Sequence, residues 1–151
     1  MTGGTIPGMN TPSSGTVTHA PIDVQWVGGL NFETGRAGGP KVRIDGDAQS
    51  APSPFDMLLA AIATCASVDV VVILEKQRTP VQALSVRVEA NRVDATPRRL
   101  ASAILHFNIT APGSTVEKAT RAIELAVTRY CSVRSSLIAD ATVSWTVELN
   151  S

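Results

Sequence analysis

Residues 53–74, SPFDMLLAAIATCASVDVVVIL, decide the fold. Ser53 is a natural N-cap, Pro54 suits the first helical position, and Asp56 sits where its carboxylate can return the cap and favour the helix dipole. The run predicts a helix that continues to about Arg78 and stops before Pro80. It is apolar on nearly every side, so it reads as a long buried central helix. Ala60, Ala61, Ala63, Ala66 and Ser67 would let another backbone approach closely. Thr64, Ser67 and Asp69 interrupt the apolar run, which argues for a core helix over a bilayer span.

Upstream, Ile22, Val24 and Trp26 alternate with Asp23 and Gln25, the period of a strand. Gly28-Gly29 turns the chain, and Leu30 to Thr34 can return as a hairpin partner. Beyond the Gly35-to-Pro40 turn, Val42 and Ile44 mark a third strand. Downstream of the helix, Leu84, Val86, Val88 and Ala90 alternate, and so do Leu105, Phe107 and Ile109. Ser114-Thr115-Val116-Glu117 reads as a second capping box. It opens an amphipathic helix whose apolar face runs from Val116 to Tyr130. Ser132 to Ala139 can form one short helical piece. Val143, Trp145, Val147 and Leu149 share one face of a last strand. The order βββ-α-ββ-α-β, rich in hairpins, predicts an α+β fold with largely antiparallel sheets. Residues 1–16, rich in Gly, Ser, Thr and Pro, are expected to be a flexible tail, and residues 17–151 a single domain.

Lys plus Arg and Asp plus Glu are 13 each, so the net charge is near zero. Without a basic stripe, neither nucleic acid nor a membrane surface is an expected partner. A neutral surface mildly favours an oligomer that hides part of it. The N-terminal stretch has no basic residue and no apolar h-region, so a cytoplasmic location is expected. Thiols there stay reduced, which argues against a structural disulfide.

Two cysteines, Cys65 and Cys131, are the main candidates for chemistry. Each read alone is a small apolar core residue. No Cys-x-x-Cys occurs, and the two histidines, His19 and His106, fall on separate segments. A metal site would need ligands from scattered carboxylates, so no metal and no other cofactor is expected. No phosphate-cradling glycine loop and no Gly-x-Ser-x-Gly elbow is present.

Residues 51–65, APSPFDMLLAAIATC, resemble the central-helix motif of the OsmC/Ohr superfamily. There, a Pro-opened helix carries small residues up to a reactive cysteine. Tyr130-Cys131-Ser132-Val133 resembles the second motif, with its partner cysteine. The separation, 131 minus 65, is 66 residues and fits the family's spacing. The resemblance covers roughly Ile22 to Leu149. It implies an intertwined homodimer with two central helices back to back and the two cysteines meeting in one buried site. It also implies a thiol-dependent peroxidase for organic hydroperoxides. Cys65 would be the peroxidatic residue and Cys131 the resolving one, with a dithiol as reductant.

The chain departs from the peroxidase pattern at two positions. Leu30 stands where those members place an Arg, and Phe55 where they place a Glu. It resembles instead an OsmC-like branch that keeps both cysteines and an acidic neighbour, here Asp56. Asp56 lies nine residues before Cys65 and faces the other side of the helix, so it reads as a cap. Asp69, at i+4 from Cys65, would raise the thiol pKa unless a cation met it. Arg36, Lys41, Arg43, Arg129 and Arg134 are candidates, and we expect an Asp69–Arg134 pair near both sulfurs. A pocket for an apolar peroxide is expected from Leu30, Phe55, Leu58 and Ile62. Two alternatives to the peroxidase stand beside it: a dimer binding a small hydrophobic or electrophilic ligand, and a redox sensor.

Overall fold

The computed structural model describes residues 15–151, so the expected tail lies, apart from its last two residues, outside the described residues. The described residues form two compact units, divided between Ala51 and Pro52.

The first unit is a three-stranded antiparallel sheet of β1 (Ile22–Gly28), β2 (Asn31–Arg36) and β3 (Val42–Asp45), in that order. Gly28 and Gly29 both take positive φ, which glycine adopts without the steric penalty of a Cβ, and so turn β1 into β2. After β3, Asp45 is buried and its carboxylate accepts hydrogen bonds from the backbone N–H groups of Asp47, Gln49 and Ser50 and from the Ser50 hydroxyl. These donors pull its pKa down to about 2. Ile22, Val24 and Trp26, the apolar face expected for β1, are all exposed in the single chain.

The second unit opens with α1 (Pro54–Lys76). Both halves of the capping box form: Asp56 N–H donates to Ser53 Oγ at 3.1 Å, and Ser53 N–H donates to Asp56 Oδ2 at 2.8 Å. Gln77 is the C-cap, and Arg78 leaves the helix at positive φ before Pro80. The helix therefore ends two residues earlier than its apolar pattern suggested.

Strands β4 (Ala83–Arg92), β5 (Leu100–Thr110) and β6 (Thr142–Asn150) form the second sheet, with β5 in the centre. β4 pairs antiparallel with β5, but β6 pairs parallel with it. A parallel neighbour needs a long crossover, and α2 (Val116–Leu125) lies in that connection. Leu105, Phe107 and Ile109 on β5 turn one face toward α1 and α2, where Ile62, Ala66, Val70, Leu74, Ala122 and Ile123 complete the core. On the opposite face His106 bridges Thr146, 2.9 Å from its Nδ1, and Glu89, 3.5 Å from its Nε2. Both are polar strand neighbours, as a solvated face would have.

Three local expectations change. The Thr115 hydroxyl caps α2 by accepting from Lys118 N–H, but the third helical position is Lys118 and not an acid, so the box is only half made. The helix also does not run unbroken to Tyr130: Ala126–Tyr130 is a π-turn, closed by Cys131 N–H donating to Ala126 O at 2.8 Å. A short helix, α3 (Ser132–Ser135), follows and is half the length expected.

Central helix α1 buries one face only. Ile62, Ala63, Ala66, Val70 and Leu74 pack inward, whereas Val68 is 63% exposed and Val71 and Val72 are also exposed. By length and composition α1 could span a bilayer, but this inward face is occupied by the core.

Candidate functional site: a thiol pair between α1 and α3

Cys65 lies eleven residues beyond Pro54 on α1, too far for the helix's own N-terminal dipole to act on it. Its sulfur is half-buried and meets the start of α3, where Ser132 Oγ is 3.9 Å away. Cys131 arrives at the same place from the other direction. The π-turn delivers it in an extended conformation, and it serves as the N-cap of α3. Its Sγ accepts from Arg134 N–H at 3.3 Å and lies 4.0 Å from the Ile62 carbonyl, one turn before Cys65. The residue is 1% exposed.

The two thiols sit in opposite electrostatic settings. Burial pushes the Cys65 thiol up, but the Val133 N–H, the Cys131 thiol, the Ser132 hydroxyl and the Ser132 N–H together bring it below the ordinary cysteine value. Burial pushes Cys131 up more effectively, and the neighbouring Cys65 charge adds to it. The N–H groups of Arg134 and Val133 oppose this without reversing it. The surroundings therefore favour negative charge on Cys65 over Cys131.

The donors that act on Cys65 are thus a hydroxyl, a thiol and backbone N–H groups. Sequence reasoning singled out none of Ser132, Val133 or the Arg134 backbone as donors. The available signal was Cys131-Ser132-Val133-Arg134 opening a short helix.

The expected Asp69–Arg134 pair is not among the ion pairs of the described residues. Asp69 lines a groove with Val72, Ile73, Lys76, Gln77, Leu125 and Tyr130, and Arg134 lines another with Leu137 and Ile138. Arg134 acts on Cys131 through its backbone N–H. Of the other cations considered, Lys41 is near Asp23, Arg43 pairs with Glu33, and Arg129 lies over the Tyr130 ring.

The four pocket residues do not line one cavity in the second unit. Ile62 is 0% exposed and belongs to the core, because its face of α1 is the inward one. Leu58 packs against that core. Phe55 carries the Arg92 guanidinium 4.0 Å above its ring. Leu30 belongs to the first unit, where its carbonyl accepts from Gly46 N–H. One groove along α1 is about 520 Å³ and is lined by Leu59, Ala60, Ala63, Leu84, Val86 and Val88, together with Asp56, Thr64 and Ser67.

A profile for the family described as OsmC-like protein matches residues 46–146. The chain belongs to this family. Protein YhfA of Escherichia coli K12 is 37% identical over 111 residues, 73% of this chain and 83% of that protein. The crystal structure of an OsmC-like protein from Mycoplasma pneumoniae superposes with a TM-score of 0.76 at 15% identity, covering 90% of this chain and 100% of that one. The organic hydroperoxide resistance protein OhrB of Bacillus subtilis gives 0.58 at 14%, covering 87% and 98%. At those identities the likeness to the two crystal structures is one of fold. It agrees with the α+β architecture read from the residues.

Proposed function

We propose that this OsmC-like chain is a thiol-dependent peroxidase that reduces organic hydroperoxides as a cytoplasmic homodimer. One observation carries the reading: two free thiols share one site, Cys65 on α1 against Ser132 at the start of α3 and Cys131 buried as the N-cap of that helix. The nucleophile must be a thiolate, and a second thiol beside it can condense with the sulfenic acid that it becomes.

The cycle follows from that arrangement. The Cys65 thiolate forms an S–O bond to the terminal peroxide oxygen and the O–O bond breaks. The departing alkoxide takes up a proton and leaves as the alcohol, and Cys65 becomes a sulfenic acid. Cys131 attacks that sulfur, an S–S bond forms, and the sulfenic oxygen leaves as water with the Cys131 proton. A dithiol then reduces the disulfide and is itself oxidised. Self-association is supported by the exposed Val68, Val71 and Val72 on α1 and the exposed Ile22, Val24 and Trp26 on β1.

A second reading rests on its own observations. By the family resemblance, Leu30 and Phe55 stand where the peroxidase pattern has its charged pair, and the groove along α1 is largely apolar. These favour binding of a small hydrophobic ligand without turnover. Cumene hydroperoxide consumption, with dihydrolipoamide as recycling reductant, separates the two. Sustained consumption that Cys65→Ser abolishes supports the peroxidase. No consumption, with both thiols still titratable, rejects it in favour of binding.

A further inference from the structure

Ser132 directly follows Cys131 and is the first residue of α3. Its hydroxyl oxygen lies 3.9 Å from Cys65 Sγ, and among the described residues it has no other side-chain hydrogen-bond partner. The rest of Ser132 is tied down on the far side: its carbonyl accepts from Ser136 Oγ at 2.8 Å and from Ser136 N–H at 3.1 Å. These bonds fix the backbone of Ser132, and its hydroxyl, 3.9 Å from the sulfur, keeps a proton free to be donated. A hydroxyl with a choice of rotors turns its hydrogen toward the strongest acceptor in reach, and a thiolate is a charged one.

We propose that Ser132 is a further catalytic residue, whose hydroxyl donates a hydrogen bond to the Cys65 thiolate and holds it in the reactive form. This rests on the reading of Cys65 as the nucleophile. It gives the chain a neutral means of activation where the peroxidase pattern uses an Arg and a Glu. Among the described residues, the titratable group facing Cys65 is Cys131. Asp69, one turn along α1, and Arg134, two residues past Ser132, line separate grooves. The lowered Cys65 pKa includes the Ser132 hydroxyl among its causes, after the Val133 amide and the Cys131 thiol.

A neutral donor has two consequences that an ion pair does not share. Removing the hydroxyl alone weakens the thiolate while leaving the backbone amides in place. Salt leaves the thiol's titration almost unmoved, because no pair of full charges is screened.

The test is the pH profile of Cys65 alkylation by iodoacetamide in the full chain, read at the Cys65 peptide by mass spectrometry. In Ser132→Ala the inflection should rise by about half to one pH unit. At pH values below it, alkylation should slow by about three- to tenfold, the size of one hydrogen bond. Ser132→Thr, which keeps the hydroxyl, should restore the wild-type profile. The unaltered protein should give the same inflection in low and high sodium chloride. A Ser132→Ala profile that overlays wild type overturns the proposal, as does an inflection that climbs with salt in the unaltered protein. Because the readout is alkylation, it stays informative if no peroxide is ever consumed. Loss of peroxidase turnover and loss of this role are therefore separate results.

Discussion

Oxidising Cys65 and Cys131 to a disulfide should stabilise the protein by an amount set by their separation. The bond closes a loop of 66 residues, 131 minus 65. In the chain-entropy account, removing that loop's freedom from the unfolded chain is worth about 4 kcal/mol at room temperature. The folded chain loses little in return: Cys131 gives up one long contact to the Ile62 carbonyl, and Cys65 gives up its thiolate donors, all weak sulfur hydrogen bonds. For a chain of this size about 2–4 °C accompanies each kcal/mol, so the melting temperature should rise by about 8–16 °C. The comparison is calorimetry of reduced and diamide-oxidised protein, with Cys131→Ser as the form that cannot close the loop. The reasoning fails if oxidised protein melts no higher than reduced. It also fails if the disulfide links two chains on a non-reducing gel, since a bond between chains does not close this loop.

Three further predictions concern single side chains. Cys131→Ser should consume one equivalent of hydroperoxide and stop at a sulfenic acid on Cys65 that dimedone traps; a disulfide or no adduct would contradict the assignment of roles. Ser53→Ala removes the N-cap of α1 and should lower stability by about 1 kcal/mol in urea unfolding, with Ser53→Gly losing less. The Asp45 carboxylate, held at about 2 against an ordinary 3.8, stabilises the fold fully above about pH 4 and loses that contribution as the pH falls through 2. Asp45→Asn should therefore flatten the acid side of the urea-midpoint profile between those values, and an unchanged slope would show that other groups set it.

Local signals were legible in the sequence and long-range ones were not. The Ser53–Asp56 box formed as read, because both partners sit within one turn and their geometry follows from the helix itself. Alternation placed β4, β5 and β6 with the correct inward residues, Leu105, Phe107 and Ile109 among them. It carried no information on which way β6 would run beside β5, and that pairing proved parallel. The π-turn at Ala126–Tyr130 left no mark, since its residues continue a helical pattern. The same turn brings Cys131 to α1. Pairing Asp69 with Arg134 failed for a related reason: a helical wheel gives the direction of Asp69 but not where a distant helix puts an arginine side chain. The groups that set the two thiols include backbone N–H donors of residues 132–134, which every residue but proline carries, so side-chain identity could not point to them.

The central claim is tested most directly by adding cumene hydroperoxide in equimolar amount to reduced protein, counting the thiols that remain, and mapping the product by peptide mass spectrometry. The account predicts that both thiols of each chain disappear together, that one Cys65–Cys131 disulfide forms within the chain, and that a dithiol restores both. Thiols that survive the peroxide, or a Cys65 that oxidises while Cys131 stays free, would contradict it.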